Sequence, residues 1–192
     1  MGGAADRAAD AATRRLVLHI PALVDLPDLA ELYRDPRVWE PDPLTRHTTE
    51  EQTEQMINNW RSAWQRDGVG MWVARSSEPP LSGAFVGIGG CFVKSAVAWN
   101  LGFRLQPPFW GRGYAREISM TAIAAALRQR PDLPITASVL EGNERSQRTT
   151  ESVGLRLRWR GPDAGNPDPH AVRLLYADRP LTDRVTRLLT DG

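Results

Sequence analysis

Apolar positions along the chain recur with two periods, which predict strands and helices in a mixed order. In Arg14–Ile20 (RRLVLHI) every second residue is apolar, a pattern typical of a half-buried strand. In Leu26–Tyr33 the apolar residues recur at helical spacing, with Asp25 able to cap the helix and Pro27 in its first turn. The sequence therefore predicts a strand followed by a helix.

A second helix is predicted by its ends as well as by its apolar stripe. The segment TTEEQTEQMINNWRSAWQRDG offers Thr48 or Thr49 as an N-terminal cap, followed by acidic residues in the first turn. Its apolar residues share one helical face, and Gly68 lies just past its end.

The rest of the chain predicts an α+β fold without internal repeats. Three extended runs, GMWVARS, AFVGIGGCFV and AWNLGFRL, predict consecutive antiparallel strands. They are followed by an alanine-rich helix from Tyr114 to about Arg130, the strand ITASVL, the short helix NERSQRTTESVG, the strand LRLRWR, the loop GPDAGNPDPH and the strand AVRLLYA.

Composition sets limits on the class of protein. The 192 residues, 41% of them hydrophobic, suit one globular domain, which we place at residues 13–192 after a flexible leader at residues 1–12. The formal charge of +1 excludes a strongly basic or acidic body. Cys91 is the only cysteine, so no internal disulfide forms, and no apolar run reaches the ~20 residues of a membrane helix. These features predict a cytoplasmic protein.

The segment WGRGYA (Trp110–Ala115) lies between a predicted strand and a predicted helix. The first N–H groups of a helix have no internal partner and favour an anion. Gly111 and Gly113 can adopt positive φ and turn successive amides inward, while Arg112 or Arg116 adds positive charge. The segment therefore predicts either a phosphate-binding turn or simply a tight connection.

The common nucleotide-binding loops do not match the sequence. It contains no G-x-x-x-x-G-K-[ST], and GIGG (Gly87–Gly90) lacks both the Rossmann spacing and a following helix. We expect those glycines to ease strand packing.

Three segments, in order along the chain, resemble one family of enzymes. They are TRRLVLHIPALVDLPDLAELYRDPRV, LGFRLQPPFWGRGYARE and NERSQRTTESVGLRL. Together they are similar to the GNAT superfamily of acetyl-CoA-dependent N-acetyltransferases, in the branch of the RimJ and RimL ribosomal-protein acetyltransferases. The resemblance implies acetyl-CoA as cosubstrate and no metal.

The resemblance also implies the GNAT (acyl-CoA N-acyltransferase) fold, a twisted mixed sheet with flanking helices whose fourth and fifth strands splay apart. Those strands are NLGFRLQ and ITASVL, and the cleft between them would hold the pantetheine arm. Main-chain groups near Phe103–Leu105 would bond the arm, and those of Trp110–Ala115 the pyrophosphate. The implied cofactor-binding residues are Phe103, Arg104, Leu105, Trp110, Gly111, Arg112, Gly113, Tyr114, Ala115, Arg116, Asn143 and Ser146.

The implied reaction is direct attack of a neutral amine on the thioester in a ternary complex. It needs a base, donors to the oxyanion and an acid for the departing thiolate. Many relatives carry a tyrosine acid where this chain has Thr150. Ser146 matches a residue that RimL-like enzymes place near the cofactor sulfur, so it is the predicted donor. The alternative is that Asn143 only caps the helix and Ser146 is solvated.

The general base is left open. Relatives often carry glutamate where this chain has Asn100, which cannot take a proton. Glu141, at the end of ITASVL, could act through water, or the amine could arrive partly neutral. An α-amine, with a pKa of about 8, needs less help than a lysine. The predicted catalytic positions are thus Ser146, Glu141 and Asn100.

The acceptor is expected to be a primary amine, either a protein N-terminal α-amine or a small molecule. The segment DPRVWEPDPLTRHTTEE and the late loop are expected to select it. Trp39, Glu40 and His47, with Asp42, could line a pocket that attracts a cationic amine. Alternatively, the tryptophan is packing and the acids are solvated.

Other functions remain open. A non-catalytic acyl-CoA sensor with this fold would also lack the tyrosine and the glutamate. A nucleic-acid surface at LRLRWRG is disfavoured because the body is nearly neutral. We expect no membrane partner, leave a homodimer open, and expect Cys91 to be a buried small hydrophobe rather than a nucleophile.

Overall fold

The computed structural model describes residues 10–191 of the chain. The strands are β1 (Ala11–Ala12), β2 (Leu16–His19), β3 (Met71–Ser76), β4 (Phe85–Lys94), β5 (Ala98–Leu105), β6 (Ile135–Leu140), β7 (Arg156–Pro162) and β8 (Val172–Ala177). The helices are α1 (Leu26–Arg34), α2 (Glu50–Asp67), α3 (Tyr114–Gln129), α4 (Glu144–Ser152) and α5 (Asp183–Thr190).

The eight strands form one mixed sheet in the order β1-β2-β3-β4-β5-β6-β8-β7. Every neighbouring pair is antiparallel except β5 and β6, which run parallel. The three central strands form the predicted meander, and the α+β class and the mixed sheet with flanking helices are confirmed.

Helices cover both faces of the sheet because the side chains of the strands alternate. On one face, α3 packs Ile118, Ala122 and Ala126 against the sheet in the main core cluster. On the other face, α1 and α2 bury a second cluster, which includes Leu29 and Ile57. The middle of the sheet therefore lies between two helical layers.

β5 and β6 pair only where both strands begin. Trp99 lies opposite Ile135 and Asn100 opposite Thr136, and the strands have no further register pairs. β5 continues to Leu105 and β6 to Leu140, so the two strands diverge beyond Asn100. The predicted splayed pair is present, and the gap between the strands opens a cleft.

The ends of α2 agree with the sequence. Thr49 is its N-cap in a capping box with Gln52, and Gly68 ends it in a left-handed conformation. Asp25 stands at the N-cap position of α1, but its side chain does not cap that helix. It is instead bonded to the Ala22 amide and to side chains of β2 and β3.

Three further features differ from the sequence expectation or extend it. Residues 1–9 of the predicted leader lie outside the described residues, whereas Ala11–Ala12 pairs with β2 at the sheet edge. Helix α5, which packs Leu189 into a small third cluster, was not among the predicted elements. The strand glycines do allow close approach of neighbouring strands, since a Cβ on Gly87 would lie 2.3 Å from the Arg104 carbonyl oxygen.

Within residues 10–191, no helix is long and apolar enough to cross a membrane.

Candidate active site

The cleft between β5 and β6 contains two cavities that meet at a shared wall. The larger, of about 520 Å³, extends towards the N-terminus of α3, and we call it the cofactor cavity. The smaller, of about 350 Å³, extends towards α1 and α2, and we call it the acceptor cavity. Both are lined by Pro41, Phe103, Arg104, Asn143 and Ser146. Two ligands could therefore lie side by side and meet at these residues.

The turn before α3 presents a row of unused amides to the cofactor cavity. Gly111 and Gly113 both have positive φ, 72° and 79°. Among the described residues, the backbone N–H groups of 111–116 find no acceptor, and the first to do so is that of Glu117, which donates to Gly113. Such a row at a helix N-terminus fits a phosphate group, so the residues present suit the pyrophosphate of coenzyme A.

The turn is held in place from the N-terminal segment. The Arg15 guanidinium donates to the Arg112 carbonyl oxygen at 2.9 Å and to the Glu117 carboxylate at 2.7 Å. It also lies 4.3 Å from the ring centroid of Tyr114, and Thr13 donates to Glu117. The segment around Arg15 and the turn before α3, which are far apart in sequence, are thus joined. These contacts hold the backbone amides of the turn in place before a ligand binds.

Most of the predicted cofactor residues do line the cofactor cavity. These are Phe103, Arg104, Leu105, Trp110, Gly111, Gly113, Tyr114, Ala115, Arg116, Asn143 and Ser146. Arg112 does not, because its side chain is exposed and only its carbonyl is bonded. The Trp110 amide is not free either, since it donates to Pro107, and the indole N–H donates to Leu105. Trp110 therefore forms a wall rather than a phosphate donor.

Two arginines that were not among the predicted cofactor-binding residues also line the cofactor cavity. Arg145 lies 4.0 Å above the Trp110 ring, and both Arg145 and Arg148 line the cofactor cavity. Their position on α4, next to the matched NERS segment, is a signal that could have identified them.

Helix α4 presents two hydroxyls without a partner among the described residues to the cleft, those of Ser146 and Thr150. Asn143 caps the helix by accepting the Ser146 amide at 3.1 Å, as the alternative interpretation expected, while also lining both cavities. The Ser146 hydroxyl forms no hydrogen bond with residues 10–191 and lies at the shared wall. Thr150, one turn later, is fully buried, and its hydroxyl likewise lacks a partner there and borders the acceptor cavity. Ser146 and Thr150 share a helical face.

The structure separates the two other predicted catalytic residues. Asn100 lies where β5 and β6 diverge and lines the acceptor cavity, and its buried Oδ1 has no partner among the described residues. Glu141 lines neither cavity. It is exposed and bonded to Arg160 at 2.6 and 3.0 Å, and that hydrogen bond lowers the pKa of Glu141. The lowered pKa, the ion pair with Arg160 and a position outside the lining of both cavities disfavour Glu141 as the base.

None of the three predicted acceptor residues lines the acceptor cavity. Trp39 is buried behind it, beneath Arg104, and Glu40 is exposed outside it. His47 stacks on Tyr33 at 4.4 Å and bonds to Thr53. A proline-rich loop does not show from sequence which side chains face inward, and of the four residues considered for this pocket only Asp42 lines the acceptor cavity.

The acceptor cavity is instead walled by aromatic and apolar residues from several elements. Its lining includes Tyr33, Met56, Trp60, Met71, Ile88 and Phe92, with Asp42, Arg104 and Arg173 as the charged residues. Burial raises the pKa of Tyr33 to about 12, so its hydroxyl stays protonated. Burial and the nearby Arg104 charge lower the pKa of His47, which keeps the imidazole neutral. This cavity is not the acidic pocket that the sequence predicted.

Arg104 could have been noticed from the strand pattern. In AWNLGFRL the apolar residues Trp99, Leu101, Phe103 and Leu105 alternate with Asn100, Gly102 and Arg104. Small and polar residues at alternate positions indicate a strand face that is not part of the hydrophobic core.

Cys91, as expected, is fully buried, and burial raises its thiol pKa.

Comparisons with known proteins agree with this geometry. The family model described as an acetyltransferase (GNAT) domain matches residues 15–156. The uncharacterized protein YkkB of Bacillus subtilis (strain 168) is 25% identical over 137 residues, which cover 65% of this chain and 77% of YkkB.

Solved structures share the fold at lower identity. A GNAT-family acetyltransferase of Bordetella pertussis superimposes with a TM-score of 0.72 and 20% identity, covering 88% of this chain and 99% of that one. RimL, the ribosomal L7/L12 α-N-protein acetyltransferase, solved with coenzyme A, gives a TM-score of 0.69 and 20% identity, with 86% and 94% covered. The family match over residues 15–156 shows that the chain belongs to the GNAT acetyltransferase family, and the solved structures share its fold.

Proposed function

We propose that the protein transfers the acetyl group of acetyl-CoA to a primary amine by direct attack in a ternary complex. The observation that carries this proposal is the pair of cavities that meet at Phe103, Arg104, Asn143 and Ser146. One has the amide row that suits a pyrophosphate, and the other has an aromatic wall. Two ligands bound there would meet at the point where β5 and β6 diverge.

The cofactor end is bound mainly by main-chain groups in this proposal. The free N–H groups of 111–116 receive the pyrophosphate, with Arg116 as added charge. The part of β5 that has no partner on its β6 side, Leu101–Leu105, leaves backbone groups for the pantetheine arm. The side-chain nitrogen Nδ2 of Asn143, which donates to no residue in 10–191, adds a donor beside the arm.

The reacting end uses two side chains in different ways. Ser146 donates a hydrogen bond to the departing thiolate, directly or through water, because charge develops on sulfur in the transition state. The C–S bond breaks as the C–N bond forms, and the proton that the nitrogen loses after attack passes through this hydroxyl or water to the sulfur, so that the products are the amide and free coenzyme A. Asn100 accepts a hydrogen bond from the attacking amine with its unpaired Oδ1 and orients the nitrogen. It takes no proton, so the amine must arrive neutral.

An α-amine fits this arrangement better than a lysine. Its pKa of about 8 leaves a useful neutral fraction near pH 7, whereas a lysine at about 10.4 is almost wholly charged. RimL is an α-N-protein acetyltransferase, which supports the same class of amine. A protein N-terminus and a small α-amine both remain within the proposal, as do the cytoplasmic location and the homodimer.

Thiol release tests the proposal. The protein is mixed with acetyl-CoA and a panel of α-amines, lysine side-chain analogues and peptides with free or blocked N-termini, and free coenzyme A is measured with a thiol reagent. Release that depends on a free amine supports the enzyme. Tight binding of acetyl-CoA without thiol release in the presence of any amine supports the alternative function, a non-catalytic acyl-CoA sensor. That alternative stays open because Thr150 and Asn100 stand where many relatives have the tyrosine and the glutamate.

A further inference from the structure

One partly buried arginine has no carboxylate partner. Five arginines of the described chain are partly buried: Arg15, Arg75, Arg104, Arg173 and Arg179. Four of them form ion pairs, with Glu117, Asp25 and Asp28, Asp163, and Asp178 respectively. Arg104 forms none with residues 10–191. A guanidinium withdrawn from water without a counter-charge is costly, so an anion supplied from outside the fold would stabilise it.

The surroundings of Arg104 hold the guanidinium in place without satisfying it. The Cζ atom of Arg104 lies 3.4 Å from the ring centroid of Trp39, and one N–H donates to the Val38 carbonyl oxygen at 3.2 Å. A guanidinium has five N–H donors, so four are left without an acceptor in the described residues. The stacked ring fixes the plane of the fork, a geometry that suits bidentate binding of a carboxylate.

The open side of this group belongs to the acceptor cavity. Arg104 and Asn100 lie on the same face of β5, and both line that cavity. The Tyr33 hydroxyl also lines it and donates to no residue in 10–191. Asp42 is the single carboxylate among the lining residues, and its charge reaches Arg104, but the two groups do not form an ion pair. The cavity thus has donors for an anion beside an acceptor for an amine.

Arg104 also borders the cofactor cavity, so coenzyme A is the competing partner. That end already has the free amides of 111–116 and the side chains of Arg116, Arg145 and Arg148. The main chain of Arg104 can still contact the pantetheine arm, which carries no negative charge there. The guanidinium is therefore better assigned to the other ligand.

We propose that the acceptor is an amine that carries a carboxylate, and that the guanidinium of Arg104 binds this carboxylate while Asn100 receives the amine. This substrate class rests on the proposed function. It replaces the cationic acceptor that the acidic loop had suggested, and it makes Arg104 a specificity-determining residue.

Matched probes test the charge of the acceptor. α-Amino acids and linear amino acids of increasing length from glycine upwards are each compared with their own primary carboxamide. We expect kcat/KM to favour the best carboxylate over its carboxamide by on the order of 10- to 100-fold, the range of charge-assisted hydrogen bonds. Calorimetric titration of the same pairs into the coenzyme A complex measures this preference without turnover.

Two variants assign the preference to its residue. Arg104→Met keeps the apolar stem over Trp39 and should reduce the carboxylate-to-carboxamide ratio to about one, with the Kd for coenzyme A unchanged within about twofold. Arg104→Lys, which retains charge but not the fork, should keep a small part of the ratio. Arg145→Met, the other arginine stacked on a tryptophan, is the matched control: it should weaken coenzyme A binding and leave the ratio intact.

The results separate the two proposals. Equal binding and equal turnover of every carboxylate and its carboxamide overturn the anionic acceptor, even where thiol release confirms acetyl transfer. A ratio that survives Arg104→Met, or a Kd for coenzyme A that rises tenfold or more in that variant, also overturns it. Absence of thiol release with a calorimetric carboxylate preference refutes acetyl transfer to these amines but retains the anion site.

Discussion

At the scale of single residues, two hydroxyls one helical turn apart compete for the role of acid. Ser146 lies at the wall shared by both cavities, whereas Thr150 is deeper and borders only the acceptor cavity. Position therefore favours Ser146, because the sulfur must lie where the two ligands meet. Burial favours Thr150, because its hydroxyl is buried without a hydrogen-bond partner among the described residues and a bound ligand could supply one.

We expect Ser146→Ala to lower kcat by ~10² to 10³ if the hydroxyl acts directly on the thiolate, and by less through water. The Kd for coenzyme A should change little, because the interaction strengthens only as charge develops. Steady-state kinetics and calorimetry measure the two quantities. Thr150→Val, which removes the other hydroxyl with little change of volume, is the control. Loss of activity in that variant with full activity in Ser146→Ala assigns the acid to Thr150.

Gly113 offers a second test at the residue scale. Its φ of 79° is strained for any side chain, and a Cβ there would lie 3.5 Å from Nη2 of Arg15, whose guanidinium holds the turn. We expect Gly113→Val to weaken coenzyme A binding by on the order of 100-fold or more while the protein stays folded, since several charge-assisted bonds are lost.

Gly165 provides a matched control for that substitution. It lies in the loop between β7 and β8 with φ of 80°, and a Cβ there would meet no atom within 4 Å. Gly165→Val should therefore cost the same backbone strain, about 1 to 2 kcal/mol, without changing the affinity for coenzyme A. Equal affinities in all three proteins would place the pyrophosphate away from the turn.

At the scale of elements, a buried carboxylate ties β2, α1 and β3 together. Asp25, 1% exposed, accepts hydrogen bonds from His19 at 3.1 Å, Arg75 at 2.9 Å and the Ala22 amide at 3.0 Å. Burial alone would raise the pKa of Asp25, but these hydrogen bonds outweigh it and hold the pKa at about 2, below the ordinary 3.8. The folded protein thus binds this proton less readily than the unfolded chain does.

This difference predicts a loss of stability in acid. The contribution of Asp25 is fully present above about pH 4 and is lost as the pH falls from there towards 2, with a total of about 2 kcal/mol. Asp25→Asn should lower stability at neutral pH and flatten the slope of unfolding free energy against pH in that window. Urea titrations at several pH values measure both effects.

Asp28 supplies the comparison for the acid slope. It also binds Arg75, at 2.7 Å, but is 39% exposed, so Asp28→Asn should keep most of the slope. If Asp28→Asn flattens the curve as much as Asp25→Asn does, the exposed pair rather than the buried carboxylate governs acid stability.

At the scale of the whole molecule, the cofactor cavity joins β5, α3 and α4, so its ligand should stabilise the fold. A ligand that binds only the native state adds about 2.7 kcal/mol at a hundredfold excess over its Kd. For a domain of this size that corresponds to a rise in Tm of roughly 5 to 10 °C. Differential scanning fluorimetry with millimolar coenzyme A measures it.

The Gly113→Val protein makes this thermal test specific. It should show no comparable rise, whereas Gly165→Val should respond like the wild type. An unchanged Tm of the wild-type protein at millimolar coenzyme A would count against binding of this cosubstrate.

Features that depend on neighbours along the chain could be predicted from the sequence. The strand period of Arg14–Ile20, the caps at Thr49 and Gly68 and the two glycines before α3 are local signals, and each element formed as predicted. The same holds for the cofactor end, because a turn and the first amides of a helix are contiguous. Three short segments therefore sufficed to indicate the family and its fold.

Features that depend on residues far apart in the sequence could be identified only in the folded molecule. Glu141 follows β6 in sequence, yet its bond to Arg160 keeps it out of the cleft. Trp39 proved to be the support beneath Arg104, a contact across 65 positions that no local pattern encodes. Whether a buried charge is neutralised depends on which strands and loops pack around it. The lack of a carboxylate beside Arg104, and with it the inferred acceptor, therefore emerged only from the folded molecule.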